Sequence, residues 1–337
     1  MILDKILLSK IDIIGKDLLK RANIKDYPKN IDEMYQFLSI LKNSIDNNEF
    51  EGVLIGNILF SFVSDKDIRD RNTTSRIFED IFSALFSKKS SDKSNRINPP
   101  STYKIIALDK LCINDDWKIS TDLSGNKREK ADLILGEYKI SLKTLKGPII
   151  NEKNEIYDSN YNKEVNVGSF SYRALLKGIL TDEEIRQLGD RKSGLGSGKQ
   201  LRENVFNPIK KKSKQKEFLQ RLKLFLEYVY EEDIYIILKS HFRIDFYLIP
   251  NKSFINSLVK TYDNEETEFE RIFYRWENNN LRLNWPNLLS KIEENKLPYY
   301  KIFINLNNSF NNKELTKFKK DLGDQIESYI NMYRSNN

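Results

Sequence analysis

Apolar positions near the start of the chain repeat at three- and four-residue intervals. Leu7, Leu8, Ile11, Ile14 and Leu18 form one series, and Met34, Phe37, Leu38 and Leu41 a second. Such spacing puts each set on one side of a helix, so residues 1–64 are predicted to be mainly helical. In SRIFEDIFSALFSKK a third stripe runs through Ile77, Phe78, Ile81, Phe82, Leu85 and Phe86, with Ser75 as the predicted N-cap. Ser, Asn and Pro99-Pro100 then mark a loop, and YKIIALDKL (103–111) and DWKISTDL (116–123) read as strands.

The period of two is clearest in KADLILGEYKISLKT, residues 130–144. With Gly136-Glu137 as a two-residue turn, glycine in first place suits type II′. The predicted pairs are Leu135 with Tyr138, Ile134 with Lys139, Leu133 with Ile140 and Asp132 with Ser141. One face then carries Ala131, Leu133, Leu135, Tyr138, Ile140 and Leu142; the other carries Lys130, Asp132, Ile134, Lys139, Ser141 and Lys143. Directly opposed residues have Cβ atoms roughly 5 Å apart. Asp132 and Ser141 are therefore expected to touch, with Lys143 one step along the same face.

Past Lys143 the pattern loosens. Residues 146–168 are polar and Asn-rich and read as a long loop. SYRALLKGIL (171–180) and DEEIRQL (182–188) are predicted helices, separated from the next by the basic, glycine-rich GDRKSGLGSGKQLR (189–202). Asn207-Pro208 reads as a helix start, the helix running to about Tyr230. Residues 234–250 read as two strands or one long bent one. FYRWENNNLRLNW has the look of a hairpin around Asn279, YYKIFINL is a further strand, and 313–333 a final helix. Order and content predict α+β with an α/β-like core, a mixed central sheet flanked by helices.

Charge and composition narrow the function. Lys and Arg total 56 against 49 Asp and Glu, a formal charge of +7. Such a balance suits a polyanionic partner, nucleic acid being the commonest; a solvated basic surface is the alternative. The single cysteine, Cys112, permits no disulfide within the chain and fits a reducing cytosol. The N-terminus lacks the apolar core of a signal peptide, and the longest uncharged run, residues 52–64, is too short for a membrane helix. A cytoplasmic location is expected. With His241 the only histidine, a His/Cys zinc cluster is excluded, and no G-x-S-x-G is present for a serine hydrolase.

The polar face of the hairpin is suited to metal-assisted hydrolysis of a phosphodiester. A carboxylate at Asp132 is a hard oxygen ligand for Mg²⁺, and the backbone carbonyl of Leu142 is a candidate second ligand. A lysine beside them, Lys143, can orient water or steady developing negative charge.

Asp132, a short spacer and Ser141-Leu142-Lys143 at the end of an apolar strand resemble the core motif of the PD-(D/E)xK nuclease superfamily, of which type II restriction endonucleases are familiar members. The helix SRIFEDIFSALF, with Glu79, is similar to the acidic helix that often precedes that core. The resemblance covers roughly residues 75–145. The chain departs from the pattern twice: Ala131 stands before Asp132 where proline is usual, and Ser141 stands where a second acid is usual. A neutral hydroxyl is a poor Mg²⁺ ligand, so the missing carboxylate is expected from elsewhere, Glu79 first and Glu152 or Glu155 after it.

The resemblance implies a restriction-endonuclease-like fold and Mg²⁺-dependent, site-specific cleavage of double-stranded DNA. Asp132 and Glu79 would hold the metal, Lys143 would act on water or charge, and Ser141 would make a secondary contact. It also implies a homodimer, since both strands of a symmetric site must be cut, and a DNA methyltransferase encoded nearby as functional partner. The expected organisation is a helical region over 1–70, a nuclease core with DNA-contacting loops over 71–250, and an α/β elaboration over 251–337. Two alternatives stay open: a non-catalytic nucleic-acid-binding protein, or the same core acting on RNA or on branched or damaged DNA.

Candidate contacts to the nucleic acid follow from charge. GLGSGKQ (194–200) fails the phosphate-loop pattern, which needs glycine at Ser193 and a hydroxyl at Gln200. Arg191, Lys192, Lys199 and Arg202 could still meet phosphates from a flexible loop. Lys210, Lys211 and Lys212 fall in the first turns of the predicted 207–230 helix, where cations oppose the macrodipole; that placement hints at phosphate contact. His241 and Arg243 could face bases, and Tyr172, Tyr274, Trp276 and Trp285 could stack on them or belong to the core.

Overall fold

The computed structural model describes residues 5–49, 51–52, 54–56, 59, 78, 81–86, 132–146, 149–150, 156–158, 164–169, 172–189, 196–229, 233–239, 243–273, 275–277 and 280–306. The expected strands at 103–111 and 116–123, the helix at 313–333 and the cap at Ser75 lie outside these residues.

Helix α1 (Lys5–Arg21) buries Ile11, Ile14 and Leu18, as their spacing requires. A Cβ on Gly15 would stand 1.9 Å from the carbonyl oxygen of Leu85, so glycine alone lets α1 meet the helical residues 81–86 at backbone contact. Helix α2 (Ile31–Asp46) starts at Asn30, whose side chain accepts from the Glu33 amide, while the Glu33 carboxylate accepts from the Lys29 amide. This reciprocal capping satisfies amides that the first turn leaves open. Met34, Phe37, Leu38 and Leu41 are buried on α2, and Phe78, Ile81, Phe82, Leu85 and Phe86 are buried on the third stripe. Phe37 and Phe86 rings lie 4.9 Å apart.

Contacts divide the chain into two compact units built from non-contiguous segments. The first is Met1–Tyr161, Ile237–Tyr247 and Lys301–Asn337; the second is Asn162–Ile236 and Leu248–Tyr300. The largest sheet has five strands in the order β1 (Leu133–Leu135), β2 (Tyr138–Lys146), β7 (Asp233–Lys239), β8 (Arg243–Ile249) and β11 (Tyr300–Asn305). Residues 234–250 thus hold two strands. On β8, Phe246 turns inward and meets Phe82 at 6.3 Å.

Residues 146–168 do not form the featureless loop that their polarity suggests. They hold a small antiparallel pair, β3 (Ile149–Ile150) with β4 (Ile156–Asp158), and strand β5 (Glu164–Ser169). Strand β5 belongs to the second unit, in a four-stranded antiparallel sheet ordered β5, β10 (Asn280–Asn284), β9 (Arg275–Glu277) and β6 (Gly196–Ser197). Strands β9 and β10 pair antiparallel with Asn280 opposite Glu277, as the hairpin pattern of the sequence expects.

The helices of the second unit are α3 (Tyr172–Leu176), α4 (Asp182–Gly189), α5 (Gly198–Leu201), α6 (Asn207–Lys211), α7 (Gln215–Val229), α8 (Asn251–Asn264), α9 (Glu266–Ile272) and α10 (Trp285–Glu294). A π-helical turn, Arg202–Phe206, joins α5 to α6. Helix α4 starts with a capping box: the Thr181 amide donates to Glu184 at 2.7 Å, and the Glu184 amide donates back to Thr181 Oγ1 at 3.3 Å. Aromatic rings fill this unit's core. Phe206 meets Phe269 at 5.7 Å, Tyr262 meets Phe218 at 5.0 Å, and Phe273 meets Trp276 at 5.5 Å. Burying rings of this size is the main stabilising contribution here, each worth about 1.5–3 kcal/mol by area.

The helix expected over 207–230 is two helices. Ser213 adopts φ +54°, and Lys214 N donates to the Ile209 carbonyl, closing α6 before α7 begins. The architecture is mixed, helices with antiparallel pairings, and thus α+β.

Candidate functional site

The hairpin of β1 and β2 has the expected register: Leu133 with Ile140, Ile134 with Lys139, Leu135 with Tyr138. Gly136 carries φ +64°, as the first position of a primed turn demands. A Cβ there would lie 2.7 Å from the Tyr27 hydroxyl oxygen, a second reason for glycine. Leu133, Leu135, Ile140 and Leu142 are buried on one face; Lys139 is exposed on the other.

Asp132 follows the ladder one step past β1. Its amide donates to the Ile140 carbonyl at 2.9 Å. Its carboxylate takes the next rung, since Oδ2 accepts the Leu142 N–H at 2.7 Å. The Ser141 hydroxyl donates to the same oxygen at 3.1 Å, and Lys143 Nζ stands 3.5 Å from it. Ser141 is only 4% exposed, so this part of the polar face is sheltered from solvent. Ser141, Leu142 and Lys143 thus converge on one carboxylate oxygen of Asp132. The serine orients Asp132 as a donor, a role for which an acid would be unsuited.

The donor chemistry fits one Mg²⁺ ligand. Among the described residues every contact to the Asp132 carboxylate falls on Oδ2 and none on Oδ1. Mg²⁺ is commonly held by one or two carboxylates, with water and substrate phosphate completing its shell. No group of three or more His, Cys, Asp or Glu side chains converges among the described residues. Glu79, Glu152 and Glu155 lie outside them. Leu142 lies in β2, with its N–H given to Asp132.

The charge-based candidates fare differently. Arg191, Lys192 and His241 lie outside the described residues. Arg202 opens the π-helical turn and grips Glu270, its Nε and a terminal nitrogen each 2.5 Å from one carboxylate oxygen. Glu270 is 4% exposed, and its carboxylate raises the already high pKa of Arg202. Lys199 faces Glu203 at 3.8 Å, Lys210 faces Glu266 at 3.9 Å, and Lys212 meets Glu184 at 2.5 Å. Lys211 is exposed. Lys210 and Lys211 occupy the last turn of α6 and Lys212 its C-cap, so they complement the macrodipole. The dipole argument for phosphate contact at these lysines is therefore corrected. Tyr172, Trp276 and Trp285 are buried core residues, so they offer no stacking surface; Tyr274 lies outside the described residues.

Arg243 sits on β8 in register with Asp245 and Tyr247, at period two along one face. Its terminal nitrogen donates to Asp245 Oδ2 at 3.0 Å, and Nε stands 2.9 Å from Oδ1 as an ion-pair contact. Burial pushes the Tyr247 phenol above its ordinary value of 10.0, with the Lys301 hydrogen bond pulling the other way and Asp245 adding to the rise. One feature went unread in the sequence. Phe303 on β11 is 44% exposed, with Arg243 Cζ 5.6 Å and Lys42 Nζ 5.9 Å from its ring centre. Alternation in YKIFIN carries the signal, since Ile302 and Ile304 are buried and Lys301 and Phe303 are not.

No helix among the described residues is long and apolar enough to cross a membrane. No family model, no curated protein and no solved structure matches this chain.

Proposed function

We propose that this protein is a Mg²⁺-dependent nuclease of restriction-endonuclease-like fold, hydrolysing phosphodiester bonds of double-stranded DNA at specific sites. One observation carries the reading: Oδ2 of Asp132 receives the Ser141 hydroxyl, the Leu142 amide and the Lys143 ammonium together. A plain surface hairpin has no need to gather those groups on one sheltered carboxylate.

Asp132 is the metal ligand that the described residues supply, and Glu79 is the proposed second. When bound, Mg²⁺ supplies Lewis-acid polarisation of the phosphodiester and a more acidic water. Ser141 and the Leu142 amide hold the Asp132 carboxylate at a fixed angle, so it is preorganised rather than free to rotate. Lys143 steadies the negative charge that develops on phosphoryl oxygens and orients the attacking water. The chain's excess of Lys and Arg favours approach of a polyanion. Cleavage of a symmetric site implies a homodimer, and protection of host DNA implies a methyltransferase encoded nearby; a cytoplasmic enzyme would meet both.

Incubation with plasmid or phage DNA and Mg²⁺ tests the reading. Discrete fragments that disappear with EDTA are expected. A smear, or loss of RNA instead, transfers the same site to a different polymer. A salt-dependent gel shift without cutting at any divalent-ion concentration replaces the nuclease with a binding protein.

A further inference from the structure

A single exposed apolar side chain needs no explanation. Phe303 differs, because cations from two other elements of its unit lie against its ring and a third precedes it on the same strand. Lys42 comes from α2, Arg243 from β8 and Lys301 from β11 itself, two residues before Phe303 and hence on the same side of the strand. Lys301 Nζ lies 5.1 Å above the Tyr247 ring. The opposite side of β11, Ile302 and Ile304, is 5% and 0% exposed. The strand therefore has its apolar side inward and turns a large ring outward among positive charges.

Lys42 is paired with Asp46, and Arg243 with Asp245, which fixes the guanidinium in place. Among the described residues, three cations here face two carboxylates, an excess of one positive charge. As structural clamps alone, exposed cation–π contacts add little to stability. Phe303 keeps 44% of its surface exposed beside these cations, and an exposed ring with cations at hand is the pairing that holds nucleic-acid strands, the ring stacking a base and the cations meeting phosphates.

We propose that Phe303 is a stacking platform for an unpaired base of a DNA strand, with Lys42 and Lys301 taking the flanking phosphates. The inference rests on the nuclease reading and names a strand feature it must present. Strand β11 stands three strands from β2 in the sheet, roughly 14 Å at the usual strand spacing. That is about four steps of a DNA strand at duplex rise.

Fluorescence anisotropy of a short labelled single-stranded DNA, in EDTA to prevent cutting, tests the platform. Phe303→Leu, which keeps an apolar side chain but no π face, should weaken binding about tenfold. Phe303→Trp should retain wild-type affinity. Lys301→Gln should lower the salt slope of binding by about 0.7. Wild-type affinity in Phe303→Leu overturns the platform and leaves the nuclease reading standing. Phe303-dependent binding without Mg²⁺-dependent cutting supports the platform and overturns the nuclease reading. A wild-type chain that binds no nucleic acid overturns both.

Discussion

The carboxylate of Asp132 accepts the backbone N–H of Leu142 at 2.7 Å. A side chain thus completes the ladder where the partner strand has ended. Removing it should cost both chemistry and stability. Asp132→Asn keeps an acceptor, so it should lose cleavage and stay close to wild type in thermal unfolding. Asp132→Ala should lose cleavage and also about 1–3 kcal/mol, because it leaves a half-buried amide unsatisfied. Equal unfolding midpoints for the two variants would count against the ladder role.

Ser141 separates orientation from metal binding. Ser141→Ala should cost about 1 kcal/mol through the lost hydrogen bond and reduce cleavage only in part. Ser141→Glu sets a second carboxylate beside Asp132 in a position that is 4% exposed. Like charges so placed repel. Its midpoint should fall in EDTA and recover on adding Mg²⁺, since a ligand that binds only the folded state stabilises it. The check is a melting series across Mg²⁺ concentrations.

Gly136 holds φ +64° against Tyr27. Gly136→Ala should destabilise by about 1–2 kcal/mol from the left-handed backbone alone, and more from the crowding at the Tyr27 hydroxyl. A chemical denaturation midpoint equal to wild type would contradict the turn geometry.

Arg202 is an ion-pair partner before it is anything else. Glu270 is buried while the Arg202 side chain is 49% exposed. Solvent therefore screens the pair, and Arg202→Met should destabilise the fold by less than breaking a fully buried pair would. The salt dependence of DNA binding should not change. A reduced salt slope would restore Arg202 to the nucleic-acid contacts.

Acid should weaken the fold in a defined window. Hydrogen bonds from Lys212 and then from Thr181 hold Glu184 below the ordinary 4.5, and Lys214 does the same for Glu217. A carboxylate with a depressed folded-state pKa contributes stability above its unfolded value and loses it as pH falls through the folded value. Unfolding midpoints should hold above pH 4.5 and decline below it. Glu184→Gln should make that decline shallower; an unchanged pH profile would argue against the Lys212–Glu184 pair.

Local chemistry made the hairpin readable. Turn type, alternation and the Asp132, Ser141, Lys143 spacing all lie within about a dozen residues, so no distant partner was needed to set the register. The stripe Phe78, Ile81, Phe82, Leu85, Phe86 was readable for the same reason. Asn207-Pro208 misled because it marks a helix start in isolation, whereas here a π-helical turn leads straight into α6. The stop at Ser213 carries no glycine, so it left little trace in the sequence. That stop reverses the electrostatic sense of Lys210, Lys211 and Lys212.

Periodicity and turn residues act between near neighbours, and they alone determined the amphipathic helices, the hairpin and its polar trio. Pairings across long stretches of chain were decided only by the folded form. Strand β5 finds β10 more than a hundred residues on, Arg202 finds Glu270, and α2, β8 and β11 bring cations around Phe303. Each is set by which buried faces pack together, a property of the whole core that no short window of sequence contains.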